Sequence, residues 1–129
     1  MTHYERKIFE LTNAERRKYG LAALIWSDTL ADVARVHSQD LVTSSVLSHT
    51  GTDGSTPIQR VHRAGIAISF QGENISAGRN NPEAAIQDWM ASAGHRSNIL
   101  NVEAAYLGVG AIYVVYSRFK YYVTQVFGR

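Results

Sequence analysis

The sequence predicts a single α+β domain in which helices cover a small antiparallel sheet. Residues 107–116 and 121–127 are rich in Val, Ile, Tyr and Phe, and Ser117-Arg118-Phe119-Lys120 joins them as a hairpin. Upstream stretches carry helix caps and helical apolar spacing. No internal repeat, low-complexity segment or interdomain linker divides residues 1–129.

Each element has its own signal. Thr2 and Glu5 have capping-box spacing, Tyr4, Ile8 and Leu11 recur at helical intervals, and Tyr19-Gly20 is a stop, so residues 3–19 read as a helix. A short extended piece contains Leu24, Ile25 and Trp26. Ser27 or Asp28 caps a second helix to about Ser44, with Leu30, Val33, Ala34 and Leu41 on one face. Thr56, Pro57 and Gln59 open a third, which ends at Gly65. Asn81, Pro82 and Glu83 open a fourth; its stripe is Ala85, Ile86, Trp89 and Met90, and Gly94 is expected to end it. A shorter strand is expected over Glu73 to Ala77. The expected core includes Trp26, Leu30, Ile86, Trp89, Val109 and Phe127.

Composition excludes several classes of function. Hydrophobic residues are 45% and charged residues 19%, which is globular rather than disordered. The formal charge is only +2. Arg16, Arg17 and Lys18, Arg60 and Arg63, and Arg118 and Lys120 are scattered, so they are expected on solvated faces and no nucleic-acid partner is expected. Without cysteine there is no disulfide, thiol nucleophile or thiolate metal site. No apolar run reaches the ~18 residues of a membrane-spanning helix, and Met1 to Lys7 lacks the apolar core of a signal peptide.

The chemistry-bearing residues fall in short blocks. These are Leu47-Ser48-His49-Thr50-Gly51, Gly72-Glu73-Asn74-Ile75, the segment from Trp89 through Ser92, Gly94 and His95 to Leu100, and Tyr121 to Gly128. Imidazoles and a carboxylate are suited to holding a divalent cation or polarising water. No local His-Glu-x-x-His pattern joins them. For Glu73 the alternative is a structural tie through buried hydrogen bonds; for His95 it is a cation at a helix C-terminus. Ser92 would need a base within about 2.6–3.2 Å to act as a nucleophile, and no hydrolase motif surrounds it. Strand alternation puts Tyr122 and Thr124 on one face and Tyr121, Val123, Gln125 and Phe127 on the other. His37 lies on the apolar face of its helix and reads as a satisfied, semi-buried histidine. His3 and His62 read as surface residues. Asn74 reads as satisfying nearby backbone, and Asp53 as part of an Asp-Gly turn.

In order and spacing, these blocks together with Asn13, Gly20-Leu21 and Trp26 resemble the CAP superfamily, whose unit is the SCP domain. The absence of cysteine and the Gly94-His95-Arg96 segment resemble its bacterial branch. The resemblance implies a three-layer α-β-α sandwich with a cleft beside the sheet, in which His49, Glu73 and His95 converge. It also implies departures: Ser92 and Tyr122 stand where eukaryotic relatives carry a glutamate and a second cleft histidine. Family members are generally exported. The implied location is therefore extracellular or at the cell envelope, and Met1 would begin an excised domain.

The first functional expectation is a binding domain whose cleft, around His49, Glu73, His95, Tyr122, Thr124 and Ser92, takes an envelope glycan, a peptide or a lipid. The second is a metal-dependent hydrolase in which His49, His95 and Glu73 hold a divalent ion such as zinc. The third is a structural interaction scaffold. The residues alone leave open whether the chain is an enzyme.

Overall fold

The helix starts follow from side-chain chemistry. In the computed structural model, which describes residues 1–129, Thr2 caps α1 (His3–Lys18), and Glu5 returns a bond to the Thr2 backbone, completing the capping box. Ser27 caps α2 (Asp28–Ser44) through Leu30 N. Thr56 and Gln59 form a second capping box at α3 (Pro57–Arg63), and Asn81 caps α4 (Pro82–Met90), with proline in the first turn of both helices. These bonds occupy backbone donors that a helix start leaves without partners.

The fourth predicted helix is two. It stops at Met90, the chain turns at Ala91, and Ser92 occupies the N-cap position of α5 (Ala93–Ile99). Gly94 therefore lies in the first turn of α5 instead of ending α4, and His95 sits near a helix N-terminus. The favourable C-terminal placement of a cation expected for His95 does not occur, because the helix dipole there has the opposite sign.

The sheet contains β1 (Ile25–Trp26), β2 (Phe70–Ala77), β3 (Tyr106–Tyr113) and β4 (Tyr121–Gly128), in the order β1-β3-β4-β2. The pairs β3–β4 and β2–β4 are antiparallel, but the two-residue β1 runs parallel to β3, so the sheet is not wholly antiparallel. The strand expected from Glu73 begins earlier, at Phe70, and β3 ends at Tyr113, before the expected Tyr116.

Alternation along β4 builds the three layers. Val123 and Phe127 join Leu107 and Val109 of β3 against Tyr4 and Ile8 of α1, Ile86 and Trp89 of α4, and Ile99 of α5. On the opposite face, Val126 packs with Leu30 and Ala34 of α2 and Val61 of α3, while Tyr122 packs with Leu41 and Ile75. Gly108 and Gly110 bring α2 directly onto β3. A Cβ at Gly108 would collide with the Ala31 nitrogen, and one at Gly110 with the Arg35 nitrogen.

Trp26 is a correction to the expected core. On the short edge strand it is only partly buried; its ring meets Phe9 edge-on at 5.5 Å, and its indole N–H donates to Asp28 at 2.8 Å. The other five expected core residues are buried. Glu5 does more than cap α1. Its fully buried carboxylate takes two bonds from Arg35 of α2 and one from the Ala111 N–H, tying the outer layers across the edge of β3. No helix is long and apolar enough to cross a membrane.

Candidate functional site

His49 lies in the loop between α2 and α3, and three side chains fix that loop. His37 on α2 bonds to the Ser48 carbonyl through Nε2 at 2.8 Å. Asp40, one turn further along, accepts from the Thr52 N–H and hydroxyl. Arg60 on α3 donates to the carbonyls of His49 and Ser55 at 2.8 and 2.9 Å. The loop is thus held by hydrogen bonds rather than by a regular element.

Glu73 lies behind His49. In β2 it stands opposite Val126, on the sheet face covered by α2 and α3. Its Oε2 meets His49 Nδ1 at 2.9 Å, and Arg60 Nη2 donates to both carboxylate oxygens at 3.0 and 3.2 Å. The side chains of Glu73 and Arg60 are 2% and 9% exposed, whereas that of His49 is 50% exposed. A carboxylate accepts, so Nδ1 carries the proton toward Glu73, and in the neutral ring Nε2 is left as an acceptor.

Helix α5 docks on the same strand segment. Asn98 donates to the Glu73 carbonyl at 3.1 Å and to the Asn74 side chain at 2.8 Å; Asn74 donates to the His95 carbonyl at 3.1 Å. Gly72 makes room, since a Cβ there would fall 2.6 Å from Asn98 Oδ1. Asn74 also donates to Gln125, which donates to Thr12, so a chain of polar side chains runs from α5 to α1 along the sheet face that both helices cover. Burial pushes the His95 imidazole below its ordinary value, and His49 acts on it in the same direction. The Nδ1 of His95 is buried without a hydrogen-bond partner.

Two expected cleft residues belong to the interior instead. Thr124 is fully buried and shares a 2.8 Å bond with Ser38 of α2. Tyr122 is buried among Leu41 and Ile75, with its hydroxyl 3.1 Å from Ser117. Both project to the predicted face, but α2 covers it. Ser92 is half-buried, and its side chain makes no capping bond. Glu73 pairs with His49, so no Ser92–His95–Glu73 relay is assembled.

The set expected for zinc does not fit a three-ligand centre. Nowhere do three or more His, Cys, Asp or Glu side chains come together to hold a metal ion. The Glu73 carboxylate is already engaged by a guanidinium and an imidazole N–H. A dication would have to displace that cation from a buried pair.

Arg60, expected on a solvated face, is instead part of the site. Arg16 is a parallel correction. It is 1% exposed and donates to the carbonyls of Ala22, Ile99 and Asn101, joining α1 to the end of α5. His37, expected to be satisfied, is 1% exposed with Nε2 bonded and Nδ1 without a partner; burial pushes its imidazole below the ordinary value.

A family profile described as the cysteine-rich secretory protein family, CAP, matches residues 9–127. The chain is 41% identical over 109 residues to the uncharacterized protein YkwD of Bacillus subtilis (strain 168), a match covering 84% of this chain and 42% of that protein. It is 36% identical over 109 residues to the uncharacterized membrane protein YlbC of the same organism, covering 84% of this chain and 32% of that one. This chain therefore spans less than half the length of either relative. Among solved structures it resembles an extracellular protein containing a SCP domain from Bacillus anthracis str. Ames, with TM-score 0.84 and 36% identity over 98% of this chain and 40% of that chain. It also shares its fold with an outer surface protein from Borrelia burgdorferi, with TM-score 0.88 and 24% identity over 100% of this chain and 95% of that chain.

Proposed function

Because this chain belongs to the cysteine-rich secretory protein family, CAP, we propose that it is the ligand-binding domain of an exported protein. Its site is the surface around His49 and His95, and its ligand is a component of the cell envelope. An envelope glycan is the first candidate, ahead of a peptide or a lipid. The similarity to an extracellular protein of Bacillus anthracis, at 36% identity, supports this location.

One observation carries the reading: a half-exposed imidazole is held from behind by a buried carboxylate–guanidinium pair. Fixing His49 in advance lowers the ordering cost of binding. With Nδ1 donating to Glu73, Nε2 of the half-exposed ring is left to accept from a hydroxyl or amide of the ligand. Binding, rather than hydrolysis, is favoured because Ser92 has no assembled relay and Glu73 is spent on positioning. No step is assigned to a metal.

The test is co-sedimentation with purified insoluble bacterial peptidoglycan. Wild type is expected to pellet with it, and His49→Ala to remain largely in the supernatant with an unchanged circular dichroism spectrum. Equal sedimentation of the two proteins, or none by either, would overturn this function.

A further inference from the structure

The connection between β3 and β4, residues 114–120, is held by its own hydrogen bonds. The Val114 N–H donates to the Lys120 carbonyl at 2.7 Å, the Ser117 N–H to the Val114 carbonyl at 3.2 Å, and the Phe119 N–H to the Ser117 hydroxyl at 3.1 Å. Ser117 also shares a 3.1 Å bond with the Tyr122 hydroxyl, and Lys120 Nζ donates to the Val115 carbonyl at 2.6 Å. The Phe119 ring meets Tyr122 edge-on at 6.4 Å and lies against Gly78, where a Cβ would fall 2.9 Å from it. These contacts fix what the connection presents to solvent.

What it presents is apolar. Tyr116 is 99% exposed, Val115 58% and Phe119 43%. Helix α2 runs along β3 toward this end of the domain, with Leu30 and Ala31 at Gly108, Ala34 and Arg35 at Gly110, and Leu41 at Tyr122. Val46 and Leu47, both exposed, follow its C-cap at Ser45. Apolar side chains scattered singly over a surface need no explanation, but several gathered on one fixed connection mark a contact surface.

The charge on the connection has one sign. Arg118 is exposed, with its guanidinium 5.6 Å from the centre of the Phe119 ring, and neither Arg118 nor Lys120 is paired with a carboxylate. No Asp or Glu occurs in residues 41–52 or 104–129. Arg79, next to Gly78, is neutralised by Asp88. Two copies of the chain meeting through this connection would oppose like cations, which disfavours self-association. A nucleic acid would need a longer basic track. Exposed tyrosine and aliphatic side chains beside unpaired cations match the boundary of an anionic bilayer, where rings lie at headgroup level and cations meet lipid phosphates.

We infer that the β3–β4 connection is a membrane-contacting tip, which seats Val115, Tyr116 and Phe119 in the interface of an anionic lipid bilayer with Arg118 and Lys120 on its headgroups. The contact is reversible, since two cations contribute only about thirtyfold to partitioning. It is separate from the His49 surface: from Tyr121 to Val126, the residue opposite Glu73, is roughly 17 Å along β4 at ~3.4 Å per residue.

The test is co-flotation with vesicles of phosphatidylglycerol and phosphatidylcholine in equal parts, with vesicles of phosphatidylcholine alone as the comparison. The protein is expected to float with the anionic vesicles at low salt and to be released as salt is raised. Tyr116→Ser and Arg118→Glu, both at exposed positions, should keep the wild-type circular dichroism spectrum and each weaken partitioning at least about fivefold. His49→Ala should float as wild type does, which separates the tip from the proposed ligand site. Absence of flotation with anionic vesicles at low salt would overturn the inference, as would equal flotation with neutral vesicles. Wild-type partitioning in both tip variants, or its loss in His49→Ala, would overturn it as well. A dimer in solution that Tyr116→Ser dissolves, without any flotation, would assign the surface to a second copy of the chain instead.

Discussion

Arg60 Nη2 lies 3.0 and 3.2 Å from the two carboxylate oxygens of Glu73, and the same guanidinium holds the carbonyls of His49 and Ser55. One α3 side chain therefore neutralises the carboxylate behind His49 and also sets the loop that carries the imidazole. The pair is a positioning device, and its removal has unequal consequences at its two ends.

Arg60→Ala leaves the Glu73 carboxylate buried without its cation, for which a loss of about 3–5 kcal/mol is expected. Glu73→Ala leaves Arg60 its carbonyl partners, so the expected loss is smaller, about 1–3 kcal/mol. Urea denaturation of both variants and of the double variant gives the coupling. A coupling indistinguishable from zero would contradict the pairing.

Acidification is expected to destabilise the fold in two stages. His37 and His95 have folded-state pKa values below the ordinary 6.5 because burial disfavours their charged forms. Between the folded and unfolded values the unfolded chain binds more protons, so stability falls as pH drops below about 6.5 and levels beneath the folded values. Burial opposes ionisation of Glu5, but bonds from Arg35 and from the Thr2 and Ala111 backbones outweigh it, and its pKa lies below 4.5. Its contribution is present above the unfolded value and is lost as pH falls through the folded one. Denaturation midpoints across this range should fall in both stages; a midpoint that rises from about pH 7 to about pH 5 would contradict the histidine assignment.

Gly110→Ala is expected to cost about 1–3 kcal/mol or more, because the new methyl meets the α2 backbone rather than a flexible side chain. Gly94→Ala is the control, since a Cβ there meets nothing within 4 Å. Equal thermal midpoints for the two variants would contradict the close approach of α2 to β3.

Trp89→Ala should cost about 3–5 kcal/mol. The ring is 2% exposed at the centre of the larger core, and its indole N–H donates to the Ile75 carbonyl at 3.0 Å. A change below about 1 kcal/mol in chemical denaturation would place the ring outside a packed core.

The local chemistry of the fold is legible because it is written in neighbouring residues. Thr2 with Glu5, Thr56 with Gln59, and Asn81-Pro82 identify helix starts within a few positions, and each forms the expected cap. The break between α4 and α5 is harder to read because glycine is a common stop, whereas here the helix restarts at Ser92 and Gly94 is carried inside it. His49 and Glu73 stand out through their motifs. Arg60 and Arg16 look solvated because their acceptors are remote in sequence: Glu73 for the first, Ile99 and Asn101 for the second. The local signal for Arg60 is its place immediately before Val61, the buried residue of α3, with no acidic residue on its own helix. Thr124 lies on the expected strand face, but residue alternation does not reveal that α2 rests directly on that face through Gly108 and Gly110.

The role of His49 as the presented group of a ligand site is tested most directly by NMR of protein labelled with ¹⁵N only in histidine side chains, titrated with soluble peptidoglycan fragments. The expected result is movement of the His49 and His95 ring resonances while those of His3 and His62 stay fixed, with the His95 response lost in His49→Ala. Fixed His49 and His95 resonances at saturating fragment, or movement of His3 and His62 alone, would contradict a binding site at this surface.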